Sequence, residues 1–338
     1  MNKRPLIPDI DENLTLRSFQ DNADYDIIAK IHNAARRARH GDNAALIDGD
    51  LIQNIVSEPD RLRIAEIDQE PVGFVFVPRS GVSQLDEFGT IEGRSWLLIG
   101  PTCTPGYEPR GVRRKLLASL IAYAHEKRIS QLIKMQKTGS ASEVERKVFE
   151  EQGFDEKLRY YFMQTEMTAP PPEPRALPEH FKWIDFQRED DIDLLWSVLQ
   201  PAFDYIEGYA GSSEHVKSIF TSMQSAYFPI CIEKESGKPV GTIALTQKGD
   251  QGQIATFGVI PSHQRRGIGS MLIERAIDKA WHLGIRSIGL SVRVENPQAI
   301  GIYKRYGFEV QPQQTRIVLV KNLSISAEDQ QNLTGRSP

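Results

Sequence analysis

QIATFGVIPSHQRRGIGSMLIERAIDKA, residues Gln253 to Ala280, changes its hydrophobic period once. Ile254 to Ile260 is short, apolar and β-branched and is stopped by Pro261, the pattern of a buried strand. Downstream, Ile268, Met271, Leu272, Ala276, Ile277 and Ala280 recur at helical spacing, so a helix starts close to Gly267 and lays that stripe on the sheet. A helix start leaves backbone N–H groups without an intrahelical partner and carries the positive end of the macrodipole, so anions bind there. Gln264, Arg265, Arg266, Gly267, Ile268, Gly269 and Ser270 therefore read as an anion cradle: the glycines let a phosphate approach the backbone and the arginines add charge. The same residues also suit an ordinary glycine turn with two solvated arginines, and the loop alone does not separate the two readings.

Some two dozen residues downstream comes SVRVENPQAIGIYKRYGFEV, Ser291 to Val310. The Q-R-R-G-I-G loop followed by N-P-x-A-x-x-x-Y-x-x-x-G-F, in that order and at that separation, resembles the GNAT N-acetyltransferase superfamily. The resemblance covers Phe181 to Val320 well and the first half of the chain in weaker form. It implies an acetyl-CoA donor, with the pantetheine lying along the central strand against Phe257, Gly258 and Val259 and the diphosphate in the cradle. It implies direct transfer to an amine in a ternary complex, and no metal. A bulge, expected at Gly258, would aim an amide at the acetyl carbonyl; close packing explains that glycine equally well. Tyr303 is by resemblance the general acid for the departing thiolate. Asn296 before Pro297 suits a helix N-cap, with or without a cofactor contact.

Proton removal from the amine is less clearly marked. The central strand, Gln253-Ile254-Ala255-Thr256, has no carboxylate where many family members carry a glutamate. A water relay to Glu233 or Glu295 is one route. Another runs through the loop containing Asp204, Tyr205, Glu207, Tyr209 and His215.

The chain has 338 residues, 40% hydrophobic and 25% charged, with net charge −4. That length favours two domains, and the acidic balance disfavours a nucleic-acid partner. No signal peptide or membrane-length apolar run is visible, so a cytoplasmic enzyme is expected, as a monomer or an oligomer. Cys103 and Cys231 suit buried small hydrophobes. Ala169 to Pro178, APPPEPRALP, reads as a linker, giving a first domain at 12–168, a linker at 169–179, a second domain at 180–322 and a polar tail at 323–338.

An offset of 156 puts Pro105 on Pro261, Gly111 on Gly267, Val112 on Ile268 and Leu116 on Leu272; an offset of 154 puts Phe149 on Tyr303 and Gly153-Phe154 on Gly307-Phe308. Two tandem domains follow, each a twisted, mostly antiparallel sheet flanked by helices, in an α/β or mixed α+β class. The first copy has Arg113 in place of Gly269, Pro109 in place of Arg265, Pro101 in place of Phe257 and Phe149 in place of the tyrosine. It is expected to keep the fold without the catalysis. The acceptor that the resemblance implies is a small-molecule or peptide amine, with small amines, aminoglycosides and peptide N-termini as candidates. Two other readings stand beside this one, a non-catalytic acetyl-CoA-binding protein and an RNA-associated module using Arg36, Arg37, Arg39, Arg113 and Arg114.

Overall fold

The computed structural model describes residues 10–41, 46–56, 58–78, 95–186, 192–203 and 227–323. Contacts divide them into two compact units, the first taking the residues up to Leu158 and from Ile317 on, the second running from Arg159 to Arg316.

The first unit contains β1 (Leu14–Ser18), α1 (Ala23–His40), α2 (Gly49–Ile55), β2 (Leu62–Ile67), β3 (Glu70–Phe76), β4 (Ser95–Leu97), β5 (Ile99–Cys103), α3 (Val112–Glu126), β6 (Gln131–Lys137) and α4 (Ser140–Glu151). β1, β2, β3 and β5 form an antiparallel sheet in that order, while β4 pairs parallel with β6. The β2–β3 turn places Asp68 and Gln69 at φ 52° and 68°, the doubly left-handed turn that matches the twist of a tight hairpin. The stretch from Ser95 to Cys103 thus forms two short strands, one bonded to β6 and the other to β3. Alternation from Gly73 on sends Val75 and Val77 to a core with Leu116, Leu117 and Leu120 of α3, and Phe74 and Phe76 to a core with Ile28, Ile31 and Ile52 of α1 and α2; Val72, the extra residue where the β2–β3 register shifts, joins the α3 core.

β7 (Asp155–Glu166) follows, then β8 (Phe181–Asp185), α5 (Ile192–Phe203), β9 (Pro229–Glu233), β10 (Pro239–Lys248), β11 (Gln251–Val259), α6 (Ile268–His282), β12 (Ser287–Arg293), α7 (Pro297–Arg305), β13 (Glu309–Val310) and β14 (Arg316–Asn322). The sheet of the second unit runs β8-β9-β10-β11-β12-β7, with β13 also on β7. Only the β11–β12 pairing in it is parallel. Ile268, Met271, Leu272, Ala276, Ile277 and Ala280 of α6 are all buried against one face, and Leu195 and Leu199 of α5 cover the other. Each unit is thus a mixed, mostly antiparallel sheet with helices on both faces, the expected fold class. Residues 213–223, whose sequence reads as a second helix of this unit, lie outside the described residues.

The units do not meet at the proline-rich segment, as the sequence reading had placed them. β7 continues unbroken past Leu158, and its residues Tyr160 to Glu166 pair with β12 in the second unit. In exchange, β14 lies beside β6, so Ile317, Leu319 and Leu323 complete the core of the first unit. The prolines follow β7 and form a strap on the second unit: the Arg175 backbone N–H and guanidinium both bond the Glu274 carboxylate on α6.

A second correction concerns the central strand. Thr256 pairs with Ala244 and Ile254 with Leu245, so the extra residue of the bulge is Ala255. Gly258, the expected position, pairs regularly with Thr242. A Cβ there would lie 2.9 Å from the Ala202 Cβ, so the glycine exists to let α5 approach the strand. Gly258→Ala is therefore expected to lower stability by about 1–3 kcal/mol through overpacking. In a double-mutant cycle Ala202→Gly should recover part of that loss, with a coupling of about 1 kcal/mol in denaturant melts; strictly additive losses would count against the packing role.

Candidate active site

Two features of β11 make an opening in the sheet. Its parallel pairing with β12 runs from Gln251 to Ile254 and stops there, one residue before the bulge at Ala255. Beyond that point, among the described residues, the β12-side edge of β11 has no strand partner, and edge amides and carbonyls of this kind accept an extended ligand.

The opening ends at the start of α6. Pro261–His263 is a short 3-10 turn held from both sides of the imidazole: Nδ1 lies 2.9 Å from Ser262 Oγ, and Nε2 lies 3.2 Å from Glu233 Oε1. Gln264 Nε2 then donates to the Val259 carbonyl at 3.0 Å, tying the loop to the strand it leaves. Arg265 and Gly267 both adopt positive φ, 65° and 85°. Gly267 is the N-cap, with no side-chain cap hydrogen bond, and the first helical bond is Met271 N–H to its carbonyl at 3.1 Å. The amides of the first turn are thus left for a ligand. A Cβ on Gly267 would meet no atom within 4 Å, so the space over this helix end is open. Gly269 is needed for a different reason, because a Cβ there would sit 3.1 Å from the Phe257 ring.

Phe257 links the cradle to Tyr303. Their ring centroids are 6.0 Å apart, and Phe308 lies 5.9 Å on the other side of the tyrosine. Tyr303 is only 6% exposed. Its helix, α7, is started by Asn296, whose side-chain oxygen accepts from the Ala299 N–H at 3.0 Å, so the N-cap reading holds in the structure. Pro297 takes the first helical position.

The carboxylates separate. Glu233 sits where β9 ends, beyond the Gly241–Val259 pair, whereas Ala255 lies opposite Ala244 and Leu245. Five residues of strand, roughly 16 Å, separate them. The Ser236 hydroxyl and His263 hold the Glu233 carboxyl below its usual range, which is the wrong direction for a base working near neutrality. Glu233 anchors the cradle's approach turn. Glu295 is 56% exposed at the head of α7 and pairs with Arg293 at 3.8 Å. Asp204, Tyr205, Glu207, Tyr209 and His215 lie outside the described residues.

A network that the sequence did not reveal braces α6 and α7. Tyr306 donates to Glu274 at 2.7 Å, and Arg175 reaches both groups. Burial and the Glu274 carboxylate raise the pKa of the Tyr306 phenol. That hydroxyl is committed to Glu274. No spacing pattern marks Glu274, whose partner comes from the strap.

The first unit repeats the backbone but not its surroundings. Gly111 caps α3 at φ 73°, ψ 8°, close to the 85°, −7° of Gly267. A Cβ there would lie 3.1 Å from Ile10, and the Asp11 N–H donates to the Arg110 carbonyl at 3.2 Å. Pro109 lies in a 3-10 turn, Glu108–Arg110, and cannot take the positive φ of Arg265. Phe149 is fully buried, edge-on to Phe154 at 4.9 Å.

Among the described residues no three metal-ligating side chains cluster, and no helix is long and apolar enough to cross a membrane. Residues 181–308 match the acetyltransferase (GNAT) family model. The mycothiol acetyltransferase of Propionibacterium freudenreichii subsp. shermanii is 28% identical over 166 residues, 47% of this chain and 52% of the relative, so the match spans about half its length. The [ribosomal protein bS18]-alanine N-acetyltransferase of Salmonella typhimurium is 39% identical over 121 residues, 35% of this chain and 74% of the relative. The Escherichia coli K12 protein of the same name is 31% identical over 109 residues, 32% and 73%. Among solved structures, a GCN5-related N-acetyltransferase from Sphaerobacter thermophilus superposes with TM-score 0.67 at 19% identity, over 94% of this chain and 98% of that one. A tandem GNAT protein from the clavulanic acid biosynthesis pathway gives TM-score 0.65 at 13% identity, over 93% and 99%. With an open helix end, a parted strand pair and a tyrosine between them, and with relatives that are N-acetyltransferases, the chain belongs to the GNAT acetyltransferase family.

Proposed function

We propose that the chain is an acetyl-CoA-dependent N-acetyltransferase whose second unit is catalytic and whose acceptor is a free amine. The observation that carries this is the open N-terminus of α6 at Gly267 beside the Phe257–Tyr303 pair. The backbone amides of Gly267 to Ser270 would hold the diphosphate, with Arg265 and Arg266 adding charge. The edge of β11 from Ala255 to Val259 would orient the pantetheine arm, and the Ala255 bulge would aim backbone amides at the acetyl oxygen. When bound, the cofactor supplies an activated acetyl thioester. Tyr303 would hold its phenolic proton for the departing sulfur, a role worth on the order of a hundredfold. Glu233 lies far along the sheet from the Ala255 bulge and Glu295 is exposed at the head of α7, so the amine proton would leave through water.

The first unit serves as scaffold on this reading. Ile10 stands over its helix end, Pro101 and Pro109 each remove an amide, and Phe149 has no proton to give. The relatives, a mycothiol acetyltransferase and a ribosomal protein bS18-alanine N-acetyltransferase, fit a small amine or a peptide N-terminus as acceptor.

Thiol release from acetyl-CoA, measured against a panel of small amines and N-terminal peptides, tests the activity. Gly267→Asp places a carboxylate at the cradle in a backbone conformation that aspartate tolerates, so acetyl-CoA affinity should fall at least about a hundredfold with the fold intact; unchanged affinity would refute the cradle. Tyr303→Phe should lower kcat by about a hundredfold while KM for acetyl-CoA moves less than about threefold. Equal loss in both would leave Tyr303 as a packing residue.

A further inference from the structure

The first unit holds a buried group of charges that its scaffold role does not use. Arg113, on the first turn of α3, is 7% exposed, and among the described residues its Nε has no hydrogen-bond partner. Lys134 of β6 is 8% exposed; its ammonium donates to the Gly100 carbonyl at 2.7 Å, lies 3.2 Å from Glu145 Oε1 and stands 5.7 Å from the Phe149 ring. Arg39 of α1 approaches the other Glu145 oxygen at 3.6 Å. Burial pushes the Glu145 carboxyl up, but Lys134, Arg39 and Arg113 outweigh it and hold the group ionised below its ordinary range. One turn back from Arg39, Arg36 also buries an unpartnered Nε.

The sign of the charge is the informative part. Lys134 and Arg39, the latter 37% exposed, both pair with the Glu145 carboxylate, and the buried Arg113 adds its charge nearby, so among the described residues these three cations outnumber Glu145 by two. Buried guanidinium N–H groups without acceptors are costly, and a cluster of like charges more so, unless an anion joins them. By the internal repeat, Arg113 stands at the position of Gly269 and Phe149 at that of Tyr303, so the cluster fills the corner where the second unit has its Phe257–Tyr303 pair. Ile10 takes the space next to Gly111 that stands open beside Gly267.

We infer that the first unit carries a binding site for a small divalent oxyanion, of the size of inorganic phosphate or a short dicarboxylate, held by Arg113, Arg39 and Lys134. The two excess charges match the two charges of such an anion, and the Arg113 fork supplies directional donors.

Thermal unfolding of the intact protein in rising inorganic phosphate, with malonate in a parallel series and sodium chloride at matched ionic strength as reference, tests the site. Phosphate or malonate at about ten times its Kd should raise Tm by about 3–6 °C above the chloride reference, and the stronger of the two identifies the anion class. The rise should disappear in Arg113→Met, a substitution of similar length without charge, and persist in Gly267→Asp, which alters the other unit's cradle. If Arg113→Met does not fold, Arg39→Met gives the same readout from the more exposed cation. A response no larger than that to chloride overturns the inference. So does a rise retained in Arg113→Met or Arg39→Met, or one lost in Gly267→Asp, which would put the anion at α6.

Discussion

Two parallel strands that part company create the rest of the site. β11 and β12 are bonded as far as Ile254, and the bulge at Ala255 turns β11 toward β10 alone. Unpartnered strand edges are normally a hazard, so an edge left open inside a sheet marks a place for something extended to lie. Each neighbouring element serves that opening. α6 begins at its far end with uncapped amides, α7 brings Tyr303 against Phe257, and the Arg175–Glu274–Tyr306 network holds the two helices together.

The two units share a backbone frame at the helix start and differ in what stands around it. Both helix starts are left-handed glycines with nearly equal angles, and Gly73 and Gly241 pack under corresponding helix residues, Val112 and Leu116 in one unit, Ile268 and Leu272 in the other. What differs is what stands around that frame. A side chain, Ile10, lies over one glycine and open space over the other, and an arginine replaces the glycine that makes room for Phe257. Fold depends on the frame, which repeated sequence preserves; chemistry depends on what the frame leaves empty.

That division explains what could be read from the sequence. The α6 stripe, its glycine start, the Asn296 cap and the tandem fold follow from local periodicity and from motifs whose spacing is set by one strand and one helix. The bulge did not follow, because Gly258 carries the local signal of a bulge while its absent Cβ answers to Ala202 in a helix more than fifty residues upstream. Glu233 was legible as a carboxylate near the site but not as the partner of His263. The proline stretch looked like a boundary because proline breaks strands; that β7 had already crossed to the second unit depends on pairing with β12, far along the chain.

The place of β14 bears on how the protein is made. A ribosome delivers an ordinary tandem protein one finished domain at a time, and the first can close while the second is still being translated. Here Ile317, Leu319 and Leu323, part of the first unit's core, emerge only after the whole of the second unit has been synthesised. Until then β6 lacks the neighbour that β14 supplies and the core lacks three of its residues, so the earliest unit to be made is the last to be completed.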